Sequence, residues 1–303
     1  FKQKTAYEIS TRDWSSDVCS SDLGSIKITG SGVNDFYTYG LDNIISYDLK
    51  GNFLSNIPNS VYTSSNLQNF DVTFNTISGS IPNFSNSNLQ SFSAKGNVLS
   101  GSIPNLSGSI NLKTFDIRYS KLTGSVILPN SGNLQYFDAS YNCLSGSVDL
   151  TTSPNIQYFN VSNNYLSGGL ESLGLINYNL QHFDISNNYL SGGIDIDNLN
   201  YLQYFDISNN KLSGSITSFA NWNMQYFDCS NNSFSGSFPY LQIIDIESAP
   251  TSSLYYYNIS NNNFSGTIDI IDHYTNLQTF LCNDNKLTNY TPLYSGSSNL
   301  FVT

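Results

Sequence analysis

The chain has 303 residues, of which only 11% are charged, and a formal net charge of −11. An acidic chain whose few Lys and Arg are scattered offers no basic surface to a phosphate backbone, so no nucleic-acid partner is expected. No run of 18 or more apolar residues occurs, so no membrane-spanning helix is predicted.

The first stretch, FKQKTAYEISTRDWSSDVCSSDL, is unlike everything after it. It lacks the apolar centre of a signal peptide and the Arg/Ser-rich character of a transit peptide. Lys2 through Ile9 and Asp13 through Leu23 resemble translated fixed strings of a common short-read sequencing adapter, with Ser10 to Arg12 where its variable index sits. Residues 1–23 are therefore predicted to stand outside the fold. Residues 24–42 are predicted to be a remnant of a preceding repeat or an irregular N-terminal edge, with Gly24-Ser25-Ile26 matching positions 13 to 15 in mid-coil, and residues 43–303 a single array truncated at its C-terminus. The chain is then expected to be a fragment at both ends.

From Ile44 onward one unit repeats. LQNFDVTFNTISGSIP at Leu67, LQYFDASYNCLSGSV at Leu134 and LQYFDISNNKLSGSI at Leu202 align position by position. The first residue recurs every 22 to 24 residues, apart from one spacing of 30 between Met224 and Leu254. A period of that size marks a short-coil solenoid rather than a helical repeat.

Positions 1, 4, 6 and 11 of the unit are apolar (Leu202, Phe205, Ile207, Leu212), and 2, 3, 5, 7 and 8 are polar (Gln203, Tyr204, Asp206, Ser208, Asn209). Alternation across 4, 5 and 6 predicts a strand with one face inward. Such a strand cannot bury its apolar face alone, so the coils must stack into a parallel sheet over a shared core, with Phe at position 4 as an aromatic spine. Asn at position 9, including Asn142, Asn164, Asn188, Asn210 and Asn232, comes where the chain turns inward; its amide can satisfy backbone groups that the turn buries. Gly at position 13 supplies a conformation most residues avoid. Cys143, Cys229 and Cys282 form no CxxC pair and read as packing residues.

These units resemble the leucine-rich repeat family, and the NxLSGxI run resembles its plant-type subfamily. The resemblance covers roughly residues 41 to 303. It implies a right-handed superhelix of about 11 coils plus a truncated one, with a curved parallel sheet on the concave face and short 3-10 or extended segments on the convex face. It also implies a non-enzymatic recognition module, extracellular or on the cell surface. This sequence departs from the pattern in carrying Phe where Leu is usual at position 4, in keeping Pro only at Pro82, Pro104 and Pro239, and in lacking paired capping cysteines.

The outward positions of stacked strands should form ladders. Position 3 supplies Tyr136, Tyr158, Tyr204 and Tyr226, and position 5 supplies Asp138, Asp206 and Asp228. Rings beside carboxylates can bind a sugar by stacking and hydrogen bonding, or clamp a basic peptide, so a glycan or a protein is the expected partner; the plain alternative is a solvated face copied by duplication. Where later coils read Ser-Asn at positions 7 and 8, earlier ones carry Arg118-Tyr119 and Ser140-Tyr141, and Arg and Tyr dominate binding hot spots. The candidate ligand-binding set is thus Arg118, Tyr119, Tyr136, Asp138, Tyr141, Tyr158, Tyr204, Asp206, Tyr226 and Asp228. A second candidate is the insertion at 239–252, with Asp245 and Glu247.

One carboxylate per coil supplies too few oxygens for a Ca²⁺ site, so neither a metal nor another cofactor is expected. Only His182 and His273 could act as bases at neutral pH, they lie coils apart, and no GxSxG motif accompanies them, which disfavours an enzyme. Ice binding would favour a regular Thr face. A structural adhesin or stalk without a specific ligand is the alternative to a recognition module.

Overall fold

A computed structural model describes residues 7–8, 25–28, 32, 44–57, 64–83, 88–106, 108–128, 132–170, 179–196, 199–216, 221, 223–239, 253–268, 276–290 and 301–302. The chain forms two compact units, Phe1–Ser145 and Gly146–Thr303. Both are built from the same stacked coil, and the described residues contain no α-helix. This is the solenoid architecture predicted from the repeat.

In the first unit, Ser25–Lys27, Ser46–Asp48, Asn69–Asp71, Ser91–Ser93, Thr114–Asp116 and Tyr136–Asp138 pair in parallel, each position 3 opposite the next position 3. In the second, Tyr158–Asn160, His182–Asp184, Tyr204–Asp206, Tyr226–Asp228, Tyr256–Asn258 and Thr279–Leu281 repeat that register, and Phe301–Val302 follows. The 30-residue spacing leaves the register intact, because Tyr226 still faces Tyr256. Residues 240–252 of that insertion, with Asp245 and Glu247, and His273 lie outside the described residues.

The Ser25 register corrects the sequence reading of Gly24-Ser25-Ile26 as positions 13 to 15 of a coil. Ile26 pairs with Tyr47, and Ile26 and Ile28 are buried, so Ser25–Lys27 is the strand of its own coil. The alternation of Ile26, Lys27 and Ile28 outweighs a three-residue match to the loop. Of residues 1–23, only Tyr7 and Glu8 are described, and they pair with Ile26 and Lys27. That pairing uses backbone groups, which an open sheet edge offers to any extended segment.

The core is the position-4 spine. In the first unit, Phe70, Phe92, Phe115 and Phe137 are almost wholly buried, with successive centroids 5.6, 5.3 and 6.0 Å apart. In the second, Phe159, Phe183, Phe205 and Phe227 follow at 5.8, 5.8 and 5.3 Å. Tyr47 and Tyr257 occupy the same position and are buried too, the hydroxyl of Tyr257 donating to the Pro239 carbonyl.

The Asn ladder runs beside this core. Asn188 Nδ2 donates to Val161 O and Ile185 O, both at 3.0 Å, and to Ser186 O at 3.1 Å, while its Oδ1 accepts from Leu166 N at 2.9 Å. Asn210 and Asn232 repeat the pattern one and two coils on, and Asn142 repeats it in the first unit. Asn164 donates to Val161 O and Ser162 O. One side chain thus ties two coils together through groups that would otherwise be buried without partners.

Where extended segments were expected opposite the main sheet, the second unit forms a further parallel sheet. Its strands are Tyr165–Gly169, Tyr189–Gly192, Lys211–Gly214, Ser233–Ser237, Asn263–Ile268 and Lys286–Tyr290. Position 12 faces position 10 of the next coil, as Ser191 faces Lys211, a stagger of two residues that shifts only at Gly266/Thr267 in the last described pair. Gly236 shows why position 13 is glycine: its φ is +91°, and a Cβ there would lie 3.2 Å from the Cβ of Ser215.

Candidate binding face

Alternation puts position 5 on the side of the sheet away from the Phe spine, and the sequence analysis expected a solvated row there. The structure half-buries Asp48 and Asp71 and buries the later carboxylates. Asp138 is 0% exposed, and Asp116, Asp184, Asp206 and Asp228 are at most 9% exposed. In-register stacking covers each carboxylate from both sides, and position 7 caps it. Ser140 donates its backbone N–H and its hydroxyl to Asp138 Oδ1 at 3.0 and 2.7 Å, and Ser186 does the same for Asp184. Asn160 and Asn258 take the same two bonds from Ser162 and Ser260, so the geometry does not depend on charge.

In the first unit, cations from position 7 sit among these carboxylates. Arg118 reaches Asp138 Oδ2 at 2.9 Å and Asp116 Oδ2 at 3.2 Å, with its side chain 26% exposed. Tyr136 adds a 3.4 Å hydrogen bond from its hydroxyl to Asp138 Oδ2. Burial pushes Asp116 up to about 6, against the lowering effect of Arg118. Lys50 bridges Asp48 and Asp71, 3.4 Å from each. Lys95 differs: its coil has Ser93 at position 5, and among the described residues it forms no ion pair. Its ammonium lies 5.2 Å from the centroid of Phe74.

Position 8 carries the most unusual backbone. Every described occupant has positive φ, a conformation that Asn and Gly tolerate and that costs other residues about 1–2 kcal/mol. Asn163, Asn187, Asn209, Asn231, Asn261 and Asp284 fill it in the second unit. In the first unit, Phe74, Tyr119 and Tyr141 hold φ of 54°, 56° and 54°. All three are exposed, at 58%, 49% and 48%. Tyr119 and Tyr141 stack at 4.5 Å, and Phe74 lies across Gly96, where any Cβ would meet its ring at 2.5 Å.

Five of the predicted site residues therefore come together in the first unit: Arg118, Tyr119, Tyr136, Asp138 and Tyr141. Phe74 and Lys95 adjoin them and were not in the predicted set. Their signal was available in the sequence, as departures from Ser-Asn at positions 7 and 8, but the exposure of Phe74 depends on Gly96 in the next coil.

In the second unit, position 3 forms a continuous ring stack. Tyr158 and His182 lie 4.1 Å apart, His182 and Tyr204 4.2 Å, Tyr204 and Tyr226 4.4 Å, and Tyr226 and Tyr256 4.5 Å, all close to parallel. Their faces are spent on one another. Tyr204 and Tyr256 donate toward Asp206 and Asp228 at 3.5 and 3.4 Å. No cation neutralises this row among the described residues. Burial, then the neighbouring Asp184, pushes Asp206 up to about 7, and burial raises Asp228 as well. The same desolvation pushes the Tyr204 and Tyr226 phenols up and lowers His182 to about 4, so the imidazole is neutral at physiological pH.

The Leucine Rich Repeat family profile matches residues 179–200 and 201–222. This is the leucine-rich-repeat fold, with the plant-type consensus. Among solved structures, the leucine-rich-repeat array is similar to the plant peptide hormone receptor RGFR1 in complex with RGF2, with TM-score 0.75 and 26% identity over 88% of this chain and 44% of that one. It is also similar to the Arabidopsis receptor kinase HAESA in complex with the peptide hormone IDA and the co-receptor SERK1, with TM-score 0.55 and 23% identity over 93% of this chain and 58% of that one. A plant ice-binding protein has TM-score 0.59 and 21% identity over 86% of this chain and 78% of that one. No curated protein matches the chain. The array spans less than half the length of the RGFR1 chain and well under two thirds of HAESA.

Proposed function

We propose that the chain is a non-enzymatic recognition module, part of a larger surface or secreted protein, that binds a peptide or protein segment outside the cell across the main sheet of its first unit. The observation that carries this reading is the position-8 row. Phe74, Tyr119 and Tyr141 are exposed aromatic residues held in a backbone conformation that suits them poorly, at a position where the described coils of the second unit place Asn or Asp. Strain of this kind is kept where the side chain has work to do. The similar receptors are described as complexes with peptide hormones, which supports the same ligand class. A glycan is the weaker ligand, because sugars stack on ring faces. The Tyr119–Tyr141 pair shares its faces, and Phe74 has Gly96 on one side and Lys95 over its ring.

The test is selection of a displayed random-peptide library on the immobilised chain, followed by affinity measurement for the enriched peptides. Alanine at Tyr119 and Tyr141 together is expected to weaken binding by about 2 kcal/mol or more. Alanine at Ser208 and Asn209 is expected to leave it unchanged. Enrichment of no peptide, or equal losses from both pairs, refutes the proposal.

A further inference from the structure

In the first unit, position 8 places a glycine between two rings. Gly96 follows Phe74 and precedes Tyr119, and its φ of +67° does not account for the choice, because Phe74, Tyr119 and the Asn residues of the second unit hold φ of 54° to 57° at the same position. The reason lies in the coil before. A Cβ on Gly96 would stand 2.5 Å from Cδ1 and 2.7 Å from Cε1 of Phe74, so a side chain there and this ring cannot share the place. The Phe74 N–H donates to the Lys95 carbonyl at 2.8 Å, and the Lys95 ammonium lies 5.2 Å from the ring centroid. The ring of one coil is thus seated on the next, held by Gly96 and Lys95. Tyr119 has no such seat, because position 8 of its next coil is Tyr141, and those two rings stack instead. Charge on this face is settled within the unit. Lys50 bridges Asp48 and Asp71, Arg118 bridges Asp116 and Asp138, and Lys95, besides resting on Phe74, favours the ionised form of Asp116.

We propose that Gly96 and Lys95 are positioning residues, which fix the Phe74 ring over the coil of Gly96, and that the surface they complete takes an uncharged peptide segment whose apolar side chains meet Phe74, Tyr119 and Tyr141. The inference rests on the recognition reading above and adds the chemistry of the ligand. A ligand cation would meet the Lys95 ammonium already on the Phe74 ring. A ligand carboxylate would find Lys50 and Arg118 already bridged between carboxylates. Neither sign gains the complementarity that selects a charged partner. The rings offer large contact area at low entropic cost, and Phe74 the more so because its seat is already made. Apolar contact carries no net charge for salt to screen, so affinity should be insensitive to ionic strength.

The test uses the full chain and dye-labelled peptide pools read by fluorescence polarisation. Each pool has random apolar residues at alternate positions, with Ser/Asn, Asp/Glu or Lys/Arg between them. The Ser/Asn pool is expected to bind best, its affinity changing less than about twofold between low and high salt. Gly96→Asn should reduce that affinity about tenfold at unchanged Tm, because the new side chain displaces the Phe74 ring while Asn is at ease in the left-handed backbone. Phe74→Asn should cause the same loss, and the two together no further loss, since Gly96 acts through that ring. Lys95→Gln should weaken binding of the wild-type chain but not of the Phe74→Asn variant. If Gly96→Asn lowers Tm, adding Phe74→Asn should restore it while the affinity stays low. Additive losses, an unchanged affinity in Gly96→Asn, or a Tm that the second substitution does not restore overturn the positioning role. Tighter binding of a charged pool overturns the uncharged chemistry and leaves peptide recognition standing, whereas binding of no pool overturns both.

Discussion

Replacing Asp206 with Asn is expected to stabilise the second unit at neutral and alkaline pH and to change little at acid pH. Asp206 is 8% exposed, stacked in register between Asp184 and Asp228 with no cation among the described residues, and its carboxyl is pushed up from 3.8 to about 7. A carboxyl whose folded pKa lies above its unfolded value favours folding while it is protonated. Its contribution is fully present below about pH 3.8 and is lost as pH rises through about 7. At 1.36 kcal/mol per pH unit, the window sets a ceiling of about 4 kcal/mol, part of it shared with its neighbours, so about 2–4 kcal/mol is expected between pH 4 and 8. Asn fits the site, because Asn160 and Asn258 hold the same position and accept the same bonds from the Ser two residues on. Urea unfolding followed by circular dichroism across this pH range should show wild-type stability falling with rising pH and the Asp206→Asn curve nearly flat. Equal destabilisation of the variant at pH 4 and pH 8 would refute the reasoning, since it would mean that the carboxylate is ionised and held by Ser208.

Arg118→Ala is expected to cost about 3–5 kcal/mol, measured by the same unfolding assay, because it strips the cation from the fully buried Asp138; adding Asp138→Asn should restore most of the loss. Phe205→Ala should cost about 3–5 kcal/mol by opening a cavity between Phe183 and Phe227, and a near-neutral result would contradict the spine. Asn188→Ala should cost about 1–3 kcal/mol and raise hydrogen exchange at the Leu166 amide, whose acceptor it removes.

The repeat itself was legible in the sequence because a solenoid coil contacts chiefly its neighbours, so local period and alternation are nearly the whole fold. Phe at position 4 and Asn at position 9 announced a buried spine and a hydrogen-bonded turn, and the pairing registers follow that spacing even across the longer coil at Met224. What tertiary structure decided depends on what stands beside each residue one coil away. Alternation could say that Asp206 points away from Phe205, but only stacking between Asp184 and Asp228 shows that pointing away is still burial. The second sheet was hidden because its glycines read as turn residues, and its staggered rungs use glycine's positive φ within paired strands. The candidate site was half visible. Arg118, Tyr119 and Tyr141 stood out as departures from Ser-Asn, but composition could not say that Arg118 is locked between two carboxylates while Lys95 is not. That difference comes from Ser93 in place of Asp: where a coil lacks the position-5 carboxylate, its cation rests on a neighbouring ring instead, as Lys95 does on Phe74.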